Sequence, residues 1–556
     1  MPEKPLPMEH YSSWLLGTNN FNVRRRIIRN MFDLIVKGGR VVDGAGNPWY
    51  RADVAIHEGK IVAIGRLGGK ADHLISVEGL VVAPGFIDTH SHSDLMLMAE
   101  PEARQKVMQG VTTEIVGQDG LGEAPLQDDV VDDWRRYLSG LNGDPDIEWS
   151  WRSFDEYLNR LESARPAINV ASLVGHGNLR LLAMGMENRP PTASELEEMK
   201  RLLDEAMAQG AFGMSTGLIY PPCVYAETAE LTELCRVVSS RGGVFVAHMR
   251  NEGDKLFESI DEVIAIGRDT GIPVQISHFK ASGRQNWGKV VEALEMLDRA
   301  RTEGVDVTVD QYPYIAGSTF LSSLLPSWAL EGGTARMMER LGDEATRKRI
   351  AAEMSGAGRG REWGWEGILV TSVKSERNRR FEGKTVGKIA EERRQEPVEA
   401  VLSLIVEEEN AVGMASFSMS EDDVRTVMRS RLQMVCTDGI VLGKPHPRVY
   451  GSFPRVLGPY VREGVLRLED AVRKMTSMPA QRFGLLDRGL LRPGMRADVV
   501  VFDPETVADR ATFQDPHQFP QGIEYVIVNG TVTVDGGNHT GARAGKVLRH
   551  APTSYP

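Results

Sequence analysis

Apolar runs alternate with amphipathic stretches through the middle of this chain, a pattern typical of β-strands that alternate with α-helices. The stretch from Ala193 to Gln209 illustrates the helical type, because its apolar residues recur on one helix face. Eight apolar runs are predicted to be strands: Leu80–His90, Val111–Gly117, Ile168–Gly175, Ala211–Gly217, Val244–His248, Pro273–His278, Val305–Asp310 and Gln433–Asp438. Eight strands with helices between them predict an α/β fold, a (β/α)8 TIM-type barrel.

Both ends of the chain have a different pattern. Within residues 34–64 and again within 497–534, short β-branched runs are separated by glycines, as in antiparallel strands joined by tight turns. Two distant segments of the same kind predict one small β-sandwich domain, made of residues 32–82 and 485–550. The barrel would then occupy residues 83–484, with an insertion at about 318–416, because a long segment separates the seventh run from the eighth. Residues 1–31 are interpreted as an N-terminal extension.

Composition and charge exclude several classes of protein. With 41% hydrophobic and 26% charged residues among 556, the chain has the balance of a soluble globular protein. The formal net charge of −12 argues against nucleic acid as the main partner. No apolar run approaches the ~18 residues of a membrane-spanning helix. The three cysteines are far apart and form no CxxC pair, so we expect a reduced, cytoplasmic protein.

Four histidines and an aspartate lie at the ends of predicted strands. His90 and His92 end the first strand, His248 ends the fifth and His278 the sixth, and Asp438 ends the eighth. Active sites of (β/α)8 barrels form where the carboxyl ends of the strands meet, so we expect these side chains at one rim. Residues two apart in an extended strand point to the same face, so His90 and His92 can bind one ion.

These residue types predict a zinc site that performs hydrolysis. A catalytic zinc leaves one position open for water. Asp438 suits the role of general base, which takes a proton from the water and later gives it to the leaving nitrogen. The alternative is that Asp438 caps a following helix, a frequent function of aspartate. A His-x-His pair alone also fits a core or surface pair, so the prediction depends on the convergence of several strand ends.

Several motifs resemble those of the amidohydrolase superfamily, and in particular of its N-acyl-D-amino-acid deacylase (D-aminoacylase) family. The first-strand motif is PGFIDTHSH at 84–92. Further motifs follow in the family's order: GVTT at 110–113, STGLIY at 215–220, HMRNEG at 248–253, ISHFK at 276–280, DQYPY at 310–314 and HPRVYG at 446–451. The matches run from about Phe32 to Gly536, so the resemblance covers nearly the whole chain.

The resemblance implies roles for individual residues. The family's metal ligands would fall on the four strand-end histidines and its catalytic aspartate on Asp438. The substrate would be held by Lys280, Tyr312, Ser318 and Arg448. A planar guanidinium binds a carboxylate in a bidentate manner, so Arg448 would bind the substrate carboxylate, unless it is a structural arginine. Lys280 would contact the carbonyl or the carboxylate, or form a buried ion pair, and Tyr312 would bind the amide oxygen.

One position departs from the family's pattern. Members often carry Gly-Asn-Cys-Gly at the end of the second strand, where the cysteine contacts the metal, but this chain has Gln118-Asp119-Gly120 after Gly117. We interpret Asp119 as a metal ligand, because a carboxylate at a strand end can ligate or bridge zinc. The alternative is a turn residue, since Asp-Gly is a normal turn dipeptide. The resemblance therefore implies one or two zinc ions.

The expected reaction is hydrolysis of a small molecule, an N-acyl-D-amino acid, to a carboxylic acid and a free D-amino acid. The D configuration follows from the resemblance alone. The alternatives are a D-specific dipeptidase, a cyclic-amide hydrolase of the dihydroorotase or hydantoinase kind, and a catalytically inactive member that binds a metal. Cyclic-amide relatives commonly carry a carbamylated lysine at a strand end, and the fourth strand here ends in MSTG at 214–217, which disfavours that alternative.

Overall fold

The computed structural model describes residues 32–68, 70–357 and 363–551, and the predicted extension 1–31 lies outside them. Along the described residues the strands are β1 Phe32–Val41, β2 Tyr50–His57, β3 Lys60–Gly65, β4 Ala71–Ser76, β5 Val81–Pro84, β6 Phe86–Asp88, β7 Val111–Val116, β8 Asn169–Ser172, β9 Val174–Gly175, β10 Gly213–Gly217, β11 Val244–His248, β12 Val274–Ile276, β13 Val307–Gln311, β14 Gly317–Phe320, β15 Ile368–Val373, β16 Val412–Ser416, β17 Gln433–Val435, β18 Val499–Phe502, β19 Ile523–Val528, β20 Thr531–Asp535 and β21 Asn538–His539.

The α-helices of the described residues lie mostly between the strands of the middle region. In chain order they are α1 Met96–Ala99, α2 Arg104–Val107, α3 Val131–Asn142, α4 Phe154–Ala164, α5 His176–Met184, α6 Ala193–Ala208, α7 Thr228–Ser240, α8 Leu256–Thr270, α9 Val290–Thr302, α10 Gly333–Gly342, α11 Glu344–Ala357, α12 Val386–Arg393, α13 Pro397–Glu407, α14 Glu421–Arg429, α15 Arg448–Arg455, α16 Leu468–Met475 and α17 Ser477–Arg482. Helix α6 confirms the predicted helix at 193–209, and Thr192 and Glu195 form a capping box at its start.

Parallel strands make up the middle of the molecule. One parallel sheet has the order β6-β7-β8 and another the order β9-β10-β11-β12-β13-β17. Their side chains are buried along whole strands, as expected when helices cover a parallel sheet. The predicted α/β class is therefore confirmed.

A mixed sheet unites strands from both ends of the chain. Its order is β21-β20-β19-β18-β5-β1-β2-β3, with β4 paired to β1. The two ends meet where β18 runs antiparallel to β5, with Val499 opposite Pro84 and Val501 opposite Val82. The single strand β1 contains two apolar runs, at 34–36 and 40–41, with a bulge between Val36 and Gly39.

The predicted first strand, Leu80–His90, is wrong as a single element. The chain divides at Gly85, where β5 ends in the mixed sheet and β6 begins in the parallel sheet. A Cβ at Gly85 would lie 2.2 Å from Oγ1 of Thr112, so this close approach requires glycine. Six of the remaining seven predicted runs each overlap one strand of a parallel sheet, whereas Ile168–Gly175 is divided between β8 and β9, which belong to different sheets.

The region between β13 and β17 has its own sheet and core. Strands β14, β16 and β15 form a separate antiparallel sheet, and helices α10 to α13 pack around it. This region covers much of the segment predicted as an insertion. Across the described part of the chain, no helix combines the length and the apolar character needed to cross a bilayer.

Candidate active site

Six predicted site residues converge at the carboxyl ends of the parallel strands. They follow β6, β7, β12 and β17, or end β11. All six are buried, with relative exposures of 5% or less: His90, His92, Asp119, His248, His278 and Asp438. Because the strands run in parallel, residues from distant parts of the sequence meet at one edge.

The distances around Asp119 are those expected of ligands that share a metal. Asp119 Oδ1 lies 3.5 Å from His90 Nε2 and 3.7 Å from His278 Nε2. Oδ2 of the same carboxylate lies 3.5 Å from His248 Nδ1 and 3.7 Å from His92 Nε2. Two ligand atoms that are each about 2.0–2.1 Å from a tetrahedral zinc lie roughly 3.4 Å apart. The spacings are too long for good hydrogen bonds and match ligands around an ion.

Unpaired polar atoms in this cluster also fit a metal. Within the described residues, both ring nitrogens of His90 and His248 and Oδ1 of Asp119 are buried without a hydrogen-bond partner. Buried polar atoms rarely stay unpaired, so the cluster has capacity for a further group. Burial lowers the pKa of His90 to about 3, which keeps its imidazole neutral and able to bind a cation. The nitrogen and oxygen donors present suit zinc.

Asp438 connects the cluster to a buried arginine. Its Oδ1 lies 3.3 Å from His92 Nε2 and 3.6 Å from His90 Nε2, while Oδ2 lies 2.8 Å from an Nη of Arg448. Burial alone would raise the pKa of Asp438, but the Arg448 guanidinium holds it well below its ordinary value. The alternative role as a helix cap is wrong, because α15 begins only at Arg448. Asp438 is thus an ionised carboxylate with one oxygen facing the imidazoles.

Three members of the cluster have left-handed backbone conformations. The φ angles are 58° at Asp119, 35° at His278 and 48° at Asp438, a region that non-glycine residues seldom adopt. Neighbouring groups hold these conformations: the His278 amide donates to Oδ1 of Asp310 at 2.6 Å, and the Asp438 amide donates to the His90 carbonyl at 2.8 Å. Three such conformations within one cluster are typical of functional sites.

The sequence analysis missed Glu252 as a site residue. Its Oε1 lies 3.0 Å from His278 Nδ1 and accepts a hydrogen bond from Lys280 Nζ at 2.6 Å. Because Nδ1 of His278 contacts Glu252, Nε2 is left to face Asp119. A carboxylate often orients a metal-binding imidazole in this way. The available signal was its position four residues after His248 in the HMRNEG motif. Burial opposes ionisation of Glu252, yet Lys280 and the two imidazoles lower its pKa.

A cavity of about 590 Å³ opens onto the cluster. Three of the four predicted substrate-binding residues line it: Lys280, Tyr312 and Ser318. Arg448 instead is fully buried beside Asp438, and its guanidinium lies 4.4 Å from the centre of the Tyr312 ring. An Nη of Arg448 also donates to the Ser318 carbonyl at 3.1 Å. The structure therefore brings all four residues together, although Arg448 lies behind the residues that line the cavity.

The chain is similar to several proteins of known activity, and one solved structure among them contains zinc. The chain is 40% identical over 506 residues to an N-acyl-D-glutamate deacylase of Alcaligenes xylosoxydans xylosoxydans, covering 90% of this chain and 94% of the relative. It is 37% identical to a D-aminoacylase of the same organism, with 93% and 97% covered. The crystal structure of an N-acyl-D-glutamate deacylase from Bordetella bronchiseptica, complexed with zinc and a phosphonate mimic of the tetrahedral intermediate, superposes with a TM-score of 0.80 at 38% identity, covering 94% of this chain and all of that one.

The family profile described as the amidohydrolase family matches residues 73–534, which include every member of the metal cluster. Together with relatives that share 37–40% of its residues over nine-tenths of its length, this match shows that the chain belongs to the amidohydrolase family.

Proposed function

We propose that this protein is a zinc-dependent hydrolase that cleaves the amide bond of N-acyl-D-amino acids. The products are a carboxylic acid and a free D-amino acid. The observation that carries the proposal is the cluster of four imidazoles and two carboxylates on the floor of the cavity, with spacings that fit shared metal ligands. The printed activities of the relatives supply the D configuration and the linear amide.

We also propose that the parallel strands close into a (β/α)8 barrel. Two observations support closure. Only Leu173 separates β8 from β9, which joins the two parallel sheets on one side. On the other side, Ser91 forms a parallel bridge with Gly439, beyond the ends of β6 and β17. The amide of Thr437 also donates to Oδ1 of Asp88 at 2.8 Å. The mixed sheet would form the small β-sandwich domain of residues 32–82 and 485–550, and the barrel would occupy 83–484.

The proposed metal ligands are the four histidines and Asp119, which together suit one or two zinc ions. When bound, zinc would polarise the scissile carbonyl and lower the pKa of the attacking water. Each oxygen of the Asp119 carboxylate lies near two of the imidazoles, so Asp119 would help the four histidines to hold one or two ions. This replaces the thiolate that family members often have there.

Asp438 is the proposed general base and acid. Its Oδ1 faces the imidazole cluster, so it can accept a proton from water positioned there. The same carboxylate would then protonate the departing amine. Arg448 holds the other oxygen, which fixes the orientation of the carboxylate and keeps it ionised before the reaction. The two carboxylate oxygens of Asp438 thus have different roles: Oδ1 would transfer the proton, and Oδ2 binds Arg448.

The substrate would lie in the cavity against Lys280, Tyr312 and Ser318. Lys280 is the cation that lines the cavity next to the cluster, so it is placed to attract the substrate carboxylate. Tyr312 can donate its hydroxyl to the amide oxygen in place of its weak 3.7 Å contact with Met419 Sδ. The proposal that Arg448 binds the carboxylate rests on its buried Nε, which has no hydrogen-bond partner among the described residues.

Replacement of the general base tests this proposal. Asp438→Asn should lower kcat for N-acetyl-D-methionine by about a hundred- to ten-thousand-fold, because amide nitrogen cannot take the proton. Bound zinc, measured by elemental analysis of the same sample, should change little. Asp128→Asn, at an exposed ion pair with Arg152, is the matched control and should retain full activity. A fully active Asp438→Asn enzyme would contradict the assignment.

A cytoplasmic location is part of the same proposal. The three cysteines, Cys223, Cys235 and Cys436, are buried as free thiols, which fits a reducing compartment.

A further inference from the structure

The region between β13 and β17 supplies a large part of the cavity lining. It carries apolar side chains from the segment after β14, from α11 and from the start of the segment before β15. These residues are Leu324, Leu325, Leu330, Met354 and Trp363. Leu218 and Ile219, which follow β10, add further apolar side chains to the lining. Serine residues line the same cavity, so a substrate group that extends away from the scissile bond would meet hydrocarbon and uncharged polar groups.

The cations that line the described part of the cavity already have anionic partners. Apart from the imidazoles of the cluster, these cations are Arg250 and Lys280. The Arg250 guanidinium contacts both carboxylate oxygens of Glu262, at 3.0 and 2.9 Å, and donates to the carbonyls of Val224 and Ala226. All three guanidinium nitrogens of Arg250 thus have hydrogen-bond partners, so Arg250 has a structural role in the cavity wall.

Lys280 has three contacts. Its Nζ contacts the Glu252 carboxylate at 2.6 Å, the His278 carbonyl at 2.8 Å and His278 Nδ1 at 2.7 Å. Because Lys280 lines the cavity beside the cluster, the α-carboxylate of the substrate would occupy it together with Arg448. A second carboxylate on the substrate would find no further uncommitted cation among the described lining residues.

Acidic groups also face this space. Asp254 and Glu353 both line the cavity, where Asp254 accepts from Asn286 Nδ2 at 3.1 Å and Glu353 accepts from Trp328 Nε1 at 2.9 Å. Neither carboxylate is paired with a cation in these contacts, so both add negative potential. An anionic side chain or acyl group would be repelled by them.

We infer that the enzyme selects N-acyl-D-amino acids that carry a single carboxylate and an apolar side chain, and that N-acyl-D-glutamate and N-acyl-D-aspartate are poor substrates. This inference rests on the proposed function. It separates the chain from its 40% identical relative, whose printed name gives N-acyl-D-glutamate as the substrate. The physical basis is that a second anion in this cavity would lose hydration without an available counter-charge to compensate for the loss.

Three side chains of similar length test the inference in the wild-type, zinc-loaded enzyme. N-acetyl-D-methionine, N-acetyl-D-glutamine and N-acetyl-D-glutamate should fall in that order of kcat/KM. The step from glutamine to glutamate changes only the charge, and it should cost at least about tenfold. N-butyryl- and N-succinyl-D-methionine form a second matched pair, in which the succinyl compound should be poorer because it adds a carboxylate at the acyl end.

The outcomes separate this inference from the proposed function. If glutamate equals or exceeds glutamine while the D-substrates are hydrolysed, the inference is wrong and the deacylase proposal stands. If the zinc-loaded enzyme hydrolyses none of the D-substrates, the proposed function itself fails. N-acetyl-L-methionine serves as the stereochemical control and should be hydrolysed far more slowly than its D enantiomer.

Discussion

At the scale of single residues, the site depends on a carboxylate at a position where relatives of this family often have a cysteine. Asp119 contacts the nitrogens of four imidazoles at 3.5–3.7 Å, and its φ of 58° turns the chain sharply after β7. Gly120, the next residue, donates its amide to Ser215 Oγ at 3.0 Å, which helps to hold the turn. Ligand and turn residue, the two alternatives for Asp119, are therefore compatible.

Two substitutions of Asp119 should change the affinity for zinc in opposite directions. Asp119→Asn removes the charge and should weaken zinc binding by at least about tenfold, since even outer contacts of metal ligands are worth that much. Asp119→Cys offers a softer thiolate, so its affinity for zinc should equal or exceed that of the wild type. Chelator competition measures both affinities, and a thiolate-to-cobalt absorption band in the cobalt-substituted Asp119→Cys protein would report direct ligation. Equal zinc affinity in all three proteins would exclude Asp119 as a ligand.

At the scale of elements, the parallel strands bring the proposed ligands together, and the short loops after the strands orient these side chains. Gly117 directly follows β7, with a φ of +74°, two residues before Asp119. A Cβ there would lie 2.3 Å from the carbonyl oxygen of Leu173, between β8 and β9. The approach of two adjacent strand ends therefore requires glycine at this position.

Gly117→Ala should destabilise the fold and disturb the metal centre. We expect a loss of more than about 2 kcal/mol, because left-handed strain adds to a backbone clash. The matched control is Gly271→Ala at the end of α8, where φ is +68° but a Cβ meets nothing within 4 Å. It should lose about 1 kcal/mol and keep its zinc. Chemical denaturation and metal analysis of both variants decide the matter, and equal losses would contradict this account.

At the scale of the whole molecule, a buried ion pair joins the mixed sheet to the parallel strands. Asp498, next to β18, contacts Arg488 at 2.7 Å and accepts from the amide of Asn529 at 2.7 Å. It also accepts from Nδ2 of Asn169 in β8 at 3.2 Å. These contacts lock the C-terminal strands against the strands that carry the site.

Removal of Asp498 should therefore destabilise the molecule as a whole. Asp498→Ala leaves Arg488 buried with weaker compensation from Asp487, so we expect a loss of about 3 kcal/mol. Glu339→Ala, which breaks an exposed pair with Arg336 in α10, should change the free energy of unfolding by less than about 0.5 kcal/mol. Urea unfolding measures both. A loss for Asp498→Ala as small as the control would show that this contact contributes little.

The sequence pattern by itself determined the α/β class and the order of the parallel strands, because buried strands and amphipathic helices leave strong periodic signals. It also placed His90, His92, His248, His278 and Asp438 at strand ends, since strand direction alone sends those ends to one edge. It erred at Gly85, where an apolar run continues unbroken although the chain passes from one sheet to another.

Tertiary structure decided what local pattern cannot encode. The pairing of Asp438 with Arg448, the contact of Glu252 with His278, and the committed donors of Arg250 all depend on side chains that meet across long sequence separations or across the folded loops. The Arg250 guanidinium, for example, is neutralised by Glu262 in the fold. The physical reason is that charge compensation depends on distance in space, and only the packed chain sets those distances.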